Sequence, residues 1–145
     1  MPELELFVHQ AGALTESEVT WLEGRLAKVL EEILQAHPGT ALSELEDLEF
    51  SLVGDEALAE VHGEFLDDPT TTDVITFPYG EILVSVDTAA RRAESFGKGL
   101  RGEVFLYLIH GLLHLAGFDD KEEQAAAEMA QEQERVWQLF WEKLS

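Results

Sequence analysis

Two histidines four residues apart, His110 and His114, have the clearest capacity for chemistry in this chain. On a helix, side chains at that spacing project from one face about one turn apart, so two imidazoles can bind one ion. Gly117 follows three residues later and favours a chain reversal that would bring Asp120 back to the same point. The pattern therefore predicts a metal site with His110, His114 and Asp120 as ligands and an open position for water or substrate.

The run H-x-x-x-H-x-x-G-x-x-D has the spacing of metzincin zinc sites, with an acid in third place. Gly111 stands where a metzincin carries its catalytic glutamate, so a protease would lack its base and is set aside. The competing interpretation is a pair of hydrogen-bonded core histidines, because an H-x-x-x-H pair alone is a weak signal. Burying a histidine without a hydrogen-bonding partner on so apolar a helix costs free energy, which favours the metal site. We expect one Zn2+ per chain, although imidazole ligands also suit nickel and copper.

The composition excludes several classes of protein. The 145 residues are 46% apolar, which is enough for one domain with a buried core and too apolar for a disordered chain. There are no cysteines, so disulfides, thiolate metal sites and cysteine nucleophiles are all excluded. No stretch reaches membrane-spanning length and the N-terminus lacks the pattern of a signal peptide, so we expect a cytoplasmic protein with no membrane partner.

The charge of the chain is strongly negative and unevenly distributed. Thirty acidic residues against nine basic ones give a formal net charge of −21, which repels nucleic acid at long range and is typical of a highly soluble surface. Four of the nine positive charges nevertheless fall just before the histidine segment: Arg91, Arg92, Lys98 and Arg101. They are either candidates for contact with phosphate or a solvated helix face.

The periodicity of apolar residues predicts four strands and five helices. The strands are expected at 3–8, 47–53, 72–77 and 81–86, with the last two paired as a hairpin. Helices are expected from a Thr15 cap with a capping box to about Ala36, over 55–65, from an Asp87 cap to about Ser95, and over 103–116. A final long helix is expected to start at Asp119 or Asp120. This order predicts an α+β fold, a single domain over 1–145 with a mixed sheet and the metal-bearing helix at its centre.

The segment His110–Asp120, HGLLHLAGFDD, resembles the signature H-G-x-L-H-L-x-G-x-D-H of the YbeY family of bacterial rRNA maturation factors. Upstream, TTDVITFPYGEILVSVDTA (71–89) is similar to the family's T-D-V-L-S-F and the G-D-I-x-I-S block that follows it. Glu103 matches an acid that the family carries shortly before its histidine helix. The similarity spans about half of the chain and keeps the order and spacing of the motifs.

The resemblance implies a metal-dependent, single-strand-specific endoribonuclease of rRNA maturation and ribosome quality control. Its partners would be single-stranded RNA, chiefly rRNA, and ribosomal proteins. The four cations would then be contacts to the RNA. Glu103 and Asp119 are candidates for supporting the metal ligands from a second layer, although Glu103 could equally be an acid at the helix start. No general base is evident: Asp119 and Asp73 are the nearest candidates, and either could instead be a structural cap. The chain departs from the family at two positions: Asp120 replaces the usual third histidine, and Leu66 replaces an arginine associated with the scissile phosphate.

Two other functions stay open at this point. The first is a non-catalytic ribosome assembly factor with a structural metal site, which the acidic surface and Leu66 favour. Structural zinc usually has four protein ligands, and the three found here favour an open, reactive site instead. The second is metal-dependent hydrolysis of a small molecule. The remaining histidines, His9, His37 and His62, are interpreted as ordinary residues.

Overall fold

The structure, a computed structural model, describes residues 2–9, 14–66, 74–96, 99–119 and 121–141, with the backbone alone for 62–66 and 94–96. These ranges contain four strands and five helices. The strands are β1 (Glu3–Val8), β2 (Asp47–Val53), β3 (Val74–Phe77) and β4 (Glu81–Ser85). The helices are α1 (Glu16–Ala36), α2 (Asp55–Leu66), α3 (Val86–Phe96), α4 (Gly99–Leu115) and α5 (Glu123–Phe140), with a short 3-10 helix at Ala41–Glu44.

The four strands form one mixed sheet in the order β1-β2-β4-β3. β1 and β2 are parallel, β2 and β4 are parallel, and β3 returns antiparallel to β4 as the predicted hairpin. Gly80 makes the hairpin turn at φ +112°, where an added Cβ would lie 2.5 Å from the Asp47 carbonyl oxygen. The predicted α+β class and the mixed four-stranded sheet are therefore confirmed.

Helix α4 lies at the centre of the core, as its uniformly apolar sequence predicts. It packs against α1, α3, α5 and the sheet, and it is buried along nearly its whole length. The strands contribute alternating side chains to the same core, namely Leu48, Phe50, Leu52, Ile82 and Val84. The opposite face of the sheet carries a smaller apolar cluster of Leu58, Ile75 and Leu83, to which α2 contributes. None of the helices in the described ranges is long and apolar enough to cross a membrane.

The helix boundaries confirm one predicted cap and correct another. Thr15 and Glu18 form the predicted capping box at the start of α1. Asp87, in contrast, does not cap its own helix: its carboxylate accepts the backbone N–H of Asp55 at 2.8 Å, at the start of α2. The cap of α3 is Ser85, whose hydroxyl accepts the backbone N–H of Thr88 at 3.1 Å. Because the parallel strands β2 and β4 end side by side, the helices that follow them begin close enough for a residue of α3 to cap α2.

Three predicted boundaries shift. Helix α4 begins at Gly99, four residues before the predicted start at 103. Helix α5 begins at Glu123 and not at Asp119 or Asp120. The chain first completes the turn that follows α4, which delays the helix by a few residues. Strand β4 ends at Ser85 because Val86 already belongs to α3. The first two residues of the predicted run 72–77 lie outside the described residues.

Candidate metal centre

The two histidines are carried by α4 at a point where that helix approaches the sheet very closely. Gly111, which follows His110, faces Ile82 of β4, and an added Cβ would lie 2.8 Å from Ile82 Cγ2 and 3.0 Å from its Cδ1. Only a residue without a side chain permits this approach. The contact sets the height of α4 on the sheet and hence the position of both histidines.

The imidazoles of His110 and His114 meet as the four-residue spacing predicts. Their Nε2 atoms lie 3.1 Å apart and the ring planes are nearly perpendicular, at 85°. Both side chains are partly buried. The structure therefore brings together the two predicted histidine ligands with the same nitrogen of each ring directed at a common point.

The opposite nitrogens are held by oxygen acceptors. His114 Nδ1 lies 3.1 Å from the backbone carbonyl oxygen of Phe118, and His110 Nδ1 lies 2.8 Å from Oε1 of Gln133. A carbonyl oxygen can only accept, so each Nδ1 must carry the proton and donate it. In the neutral imidazole, the lone pair of each ring then resides on Nε2, where a metal could bind it.

This arrangement fits a metal ion. With both protons on Nδ1, the two Nε2 lone pairs face each other at 3.1 Å, and a cation between them would relieve their repulsion. Two imidazole nitrogens bound tetrahedrally to zinc at about 2.0–2.1 Å would lie roughly 3.3 Å apart, close to the separation found here. Oxygen acceptors on the distal nitrogens are the usual support for metal-bound histidines. The residues present therefore suit a zinc-like ion.

The turn after α4 is a helix-ending motif built on Gly117, which adopts φ +100°. The Phe118 N–H donates to the Leu113 carbonyl and the Gly117 N–H donates to that of His114, both at 3.0 Å, which is the Schellman pattern. It directs the Phe118 carbonyl back towards His114. Gly117 thus ends the helix as predicted and also places the acceptor that orients a histidine.

Only part of the predicted ligand set can be placed. Asp120 lies outside the described residues, and within the ranges that are described no three His, Cys, Asp or Glu side chains form a metal-binding group. Asp119 is exposed and its carboxylate accepts the Lys121 backbone N–H at 3.0 Å, so it caps the turn. Glu103 is buried on α4, seven residues or about 10 Å before His110 along the axis. The support of the histidines by Glu103 stays a prediction, and so does the assignment of Asp120 as the third ligand.

The four predicted RNA contacts have different surroundings. Arg91 lies on α3 and pairs with Asp55 at 2.7 Å, although its side chain is 62% exposed. Arg92 is exposed on the same helix, and Lys98 lies outside the described residues. Arg101 is only 9% exposed, and its guanidinium lies 4.3 Å from the ring centre of Trp21 and 5.1 Å from that of Trp141. Cation–π contacts of this kind stabilise the fold, and the position of Arg101 does not favour a phosphate contact.

Sequence reasoning missed the residues that support the histidines. Gln133 and Glu132 are consecutive residues of α5, and nothing in their local pattern distinguishes them from the other polar residues of that helix. His37, interpreted as ordinary, pairs with Glu132 and packs its ring edge-on against Phe118 at 5.0 Å. The hydrogen bond from Arg135 is the main cause that lowers the pKa of Glu132 to about 2, and His37 adds to it against the effect of burial.

The sequence matches a family model described as Endoribonuclease YbeY over residues 13–140. The protein named Endoribonuclease YbeY from Leptospira biflexa is 32% identical over 130 residues, covering 81% of this chain and 82% of that protein. Its namesake from Nautilia profundicola is 36% identical over 98 residues, covering 62% and 69%. The solution structure of TM1509 from Thermotoga maritima has a TM-score of 0.59 at 24% identity, covering 94% and 90%, which supports the fold alone.

Proposed function

The chain belongs to the YbeY family, and on that basis we propose that it is an endoribonuclease that hydrolyses single-stranded RNA, in the first place ribosomal RNA. The observation that carries the proposal is the pair of imidazoles with Nε2 atoms 3.1 Å apart and both Nδ1 atoms held by oxygen acceptors. We propose one divalent ion, zinc before nickel or copper, held by His110, His114 and Asp120. We also propose that the protein associates with ribosomal proteins and acts in the cytoplasm.

The residues of the chain have distinct parts in this function. The ion, when bound, would supply a Lewis acid for the phosphodiester and a more acidic water. With Nδ1 of each ring turned to an oxygen acceptor, His110 and His114 would present Nε2 to the cation. Three protein ligands leave one tetrahedral position open for water or substrate, which favours a reactive site over a structural one.

A second candidate, a non-catalytic ribosome assembly factor with a structural metal, is favoured by the scarcity of positive charge. Arg91 is paired with Asp55, Arg101 is buried between aromatic rings, and Leu66 stands where the family usually has an arginine. With nine basic residues against thirty acidic ones, few cations are left to bind phosphate. This candidate predicts metal binding and ribosome association without RNA cleavage.

The deciding experiment incubates zinc-loaded protein with end-labelled single-stranded RNA, with the same RNA annealed to its complement, and with a chelator. We expect cleavage of the single strand that stops with chelator and returns when zinc is restored. His114→Ala should abolish it, whereas His9→Ala, which replaces an exposed histidine at the end of β1, should leave it unchanged. Cleavage that survives both the chelator and His114→Ala would come from a contaminating nuclease and would overturn the assignment. Stoichiometric zinc without cleavage would favour the assembly factor.

A further inference from the structure

We infer that two consecutive residues of α5, Gln133 and Glu132, are positioning residues that orient the two histidines by separate routes and so set the metal affinity of the site. The inference rests on the proposed metal site. It adds residues that lie outside the H-x-x-x-H-x-x-G-x-x-D motif and more than ten positions beyond its end.

The first route is a direct hydrogen bond from His110 to Gln133. With Oε1 of Gln133 2.8 Å from Nδ1, the amide accepts the ring proton and leaves the Nε2 lone pair facing His114. If the amide were turned over, its NH2 group would donate to Nδ1 and the ring proton would move to Nε2, where it would block a metal. The carbonyl orientation of Gln133 is thus the one that suits metal binding.

The second route reaches His114 through the turn after α4. The Phe118 carbonyl orients His114, and the Phe118 ring packs edge-on against His37 at 5.0 Å. His37 pairs with Glu132, which Arg135 holds through two nitrogens at 2.6 Å and 2.9 Å. The carboxylate therefore fixes His37, and His37 limits the movement of the residue whose carbonyl holds His114.

The two routes make α5 a common support for the site. Gln133 contacts α4 directly at His110, and the adjacent Glu132 reaches the turn after α4 through His37 and Phe118. A displacement of α5 would consequently disturb both histidines together.

The test compares Gln133→Met, which keeps the length of the side chain but loses the acceptor, with Gln133→Glu, which retains an acceptor oxygen. Gln131→Met, on the exposed side of the same helix, is the matched control. Zinc affinity is measured by competition with a chromophoric chelator. The tautomer of His110 is read in metal-free protein from long-range 15N–1H NMR correlations. Thermal melts of every variant check folding.

We expect Gln133→Met to weaken zinc binding roughly 10- to 100-fold, the range seen when an outer partner of a ligand is removed. His110 should then show a mixture of tautomers, whereas Gln133→Glu and Gln131→Met stay close to the wild type in both measurements. For the second route, His37→Ala should weaken zinc binding several-fold without changing the His110 tautomer.

Unchanged zinc affinity and an unchanged Nδ1–H tautomer in Gln133→Met would overturn the inference while leaving the metal site intact. A wild-type protein that takes up no zinc would instead contradict the proposed function, and the tautomer in metal-free protein would still decide whether Gln133 orients His110. If Gln133→Met melts early, the tautomer measured below its melting temperature decides the question.

Discussion

Nη2 of Arg91 lies 2.7 Å from Oδ2 of Asp55, so the first arginine of the predicted RNA-contact group already has a carboxylate partner within the protein. Ser85 and Thr88 donate to the other oxygen of that carboxylate. Burial raises the pKa of Asp55, but the hydrogen bonds from Ser85, Thr88 and Arg91 outweigh it and hold the pKa below its ordinary value. The network joins the starts of α2 and α3, and Arg91 therefore has a structural role whether or not RNA binds.

Arg91→Ala should raise the pKa of Asp55 and lower the free energy of unfolding by less than about 1 kcal/mol, because the arginine side chain is largely exposed to solvent. Since the pKa of Asp55 is lowered by folding, its contribution to stability is present above the unfolded pKa and is lost as the pH falls. Carboxyl 13C titration and urea unfolding measure the two effects. Lys28→Ala, on the exposed surface of α1, is the control and should change neither.

RNA affinity should be weak at moderate salt and should fall as salt rises. Arg91→Ala alone should change the salt slope little, because Asp55 already neutralises that charge. Replacing both Arg91 and Arg92 should make the logarithmic slope shallower by about 0.7 for each phosphate that the protein no longer neutralises. Fluorescence anisotropy at several salt concentrations measures the slope, with Lys28→Ala as control. An unchanged slope in the double variant would remove these residues from the RNA site.

Asp120→Ala should lower zinc affinity far more than Asp119→Ala. The glycine-turn motif places its last ligand three residues beyond the glycine, at Asp120, and the Asp119 carboxylate already accepts the Lys121 N–H. Asp120→His should retain zinc, because imidazole is an equally suitable ligand. Zinc titration into the three variants distinguishes the positions. Loss of zinc in Asp119→Ala with full binding in Asp120→Ala would reverse the ligand assignment.

Gly111→Ala should destabilise the protein, because the new Cβ would lie 2.8 Å from Ile82 Cγ2 in the packed core. We expect a loss of about 1–3 kcal/mol in the free energy of unfolding, together with weaker zinc binding as α4 moves away from β4. Gly24→Ala is the matched control, since its Cβ would meet nothing within 4 Å. On helix propensity, that change should stabilise α1 by up to about 1 kcal/mol. Equal melting temperatures for the two variants would contradict the close packing of α4.

Glu132→Gln should lower stability at neutral pH and have progressively less effect in acid. Folding lowers the pKa of Glu132 from 4.5 to about 2, chiefly through the Arg135 hydrogen bond. The stabilisation is therefore complete above pH 4.5 and disappears as the pH falls towards 2. Urea unfolding at a series of pH values should show the wild type and the variant converging. A constant difference across that range would show that the Glu132 charge is not the cause.

Local patterns in the sequence were enough to predict the elements and the core of the candidate site. Thr15 and Glu18 mark the start of α1, strict alternation marks β1 and β2, and the unbroken apolar run marks α4 as the central helix. Helix caps and side-chain periodicity depend on residues a few positions apart, so they can be recognised without knowledge of the fold. The spacing of His110, His114 and Gly117 is also a local pattern, which is why the pairing of the imidazoles could be predicted.

The partners of those imidazoles depend on how the elements pack. The same holds for the partners of the cations that the sequence grouped as RNA contacts. Gln133 meets His110 across 23 positions and His37 meets Glu132 across 95, so their contacts exist only once α1, α4 and α5 are packed together. The capping of α2 by Asp87 of α3 likewise depends on β2 and β4 being neighbours in the sheet. The packing of Trp21 and Trp141 around Arg101 buries a charge that the sequence alone grouped with the RNA contacts. Side chains distant in sequence are brought together by burial of the core, and no local pattern encodes that choice of partner.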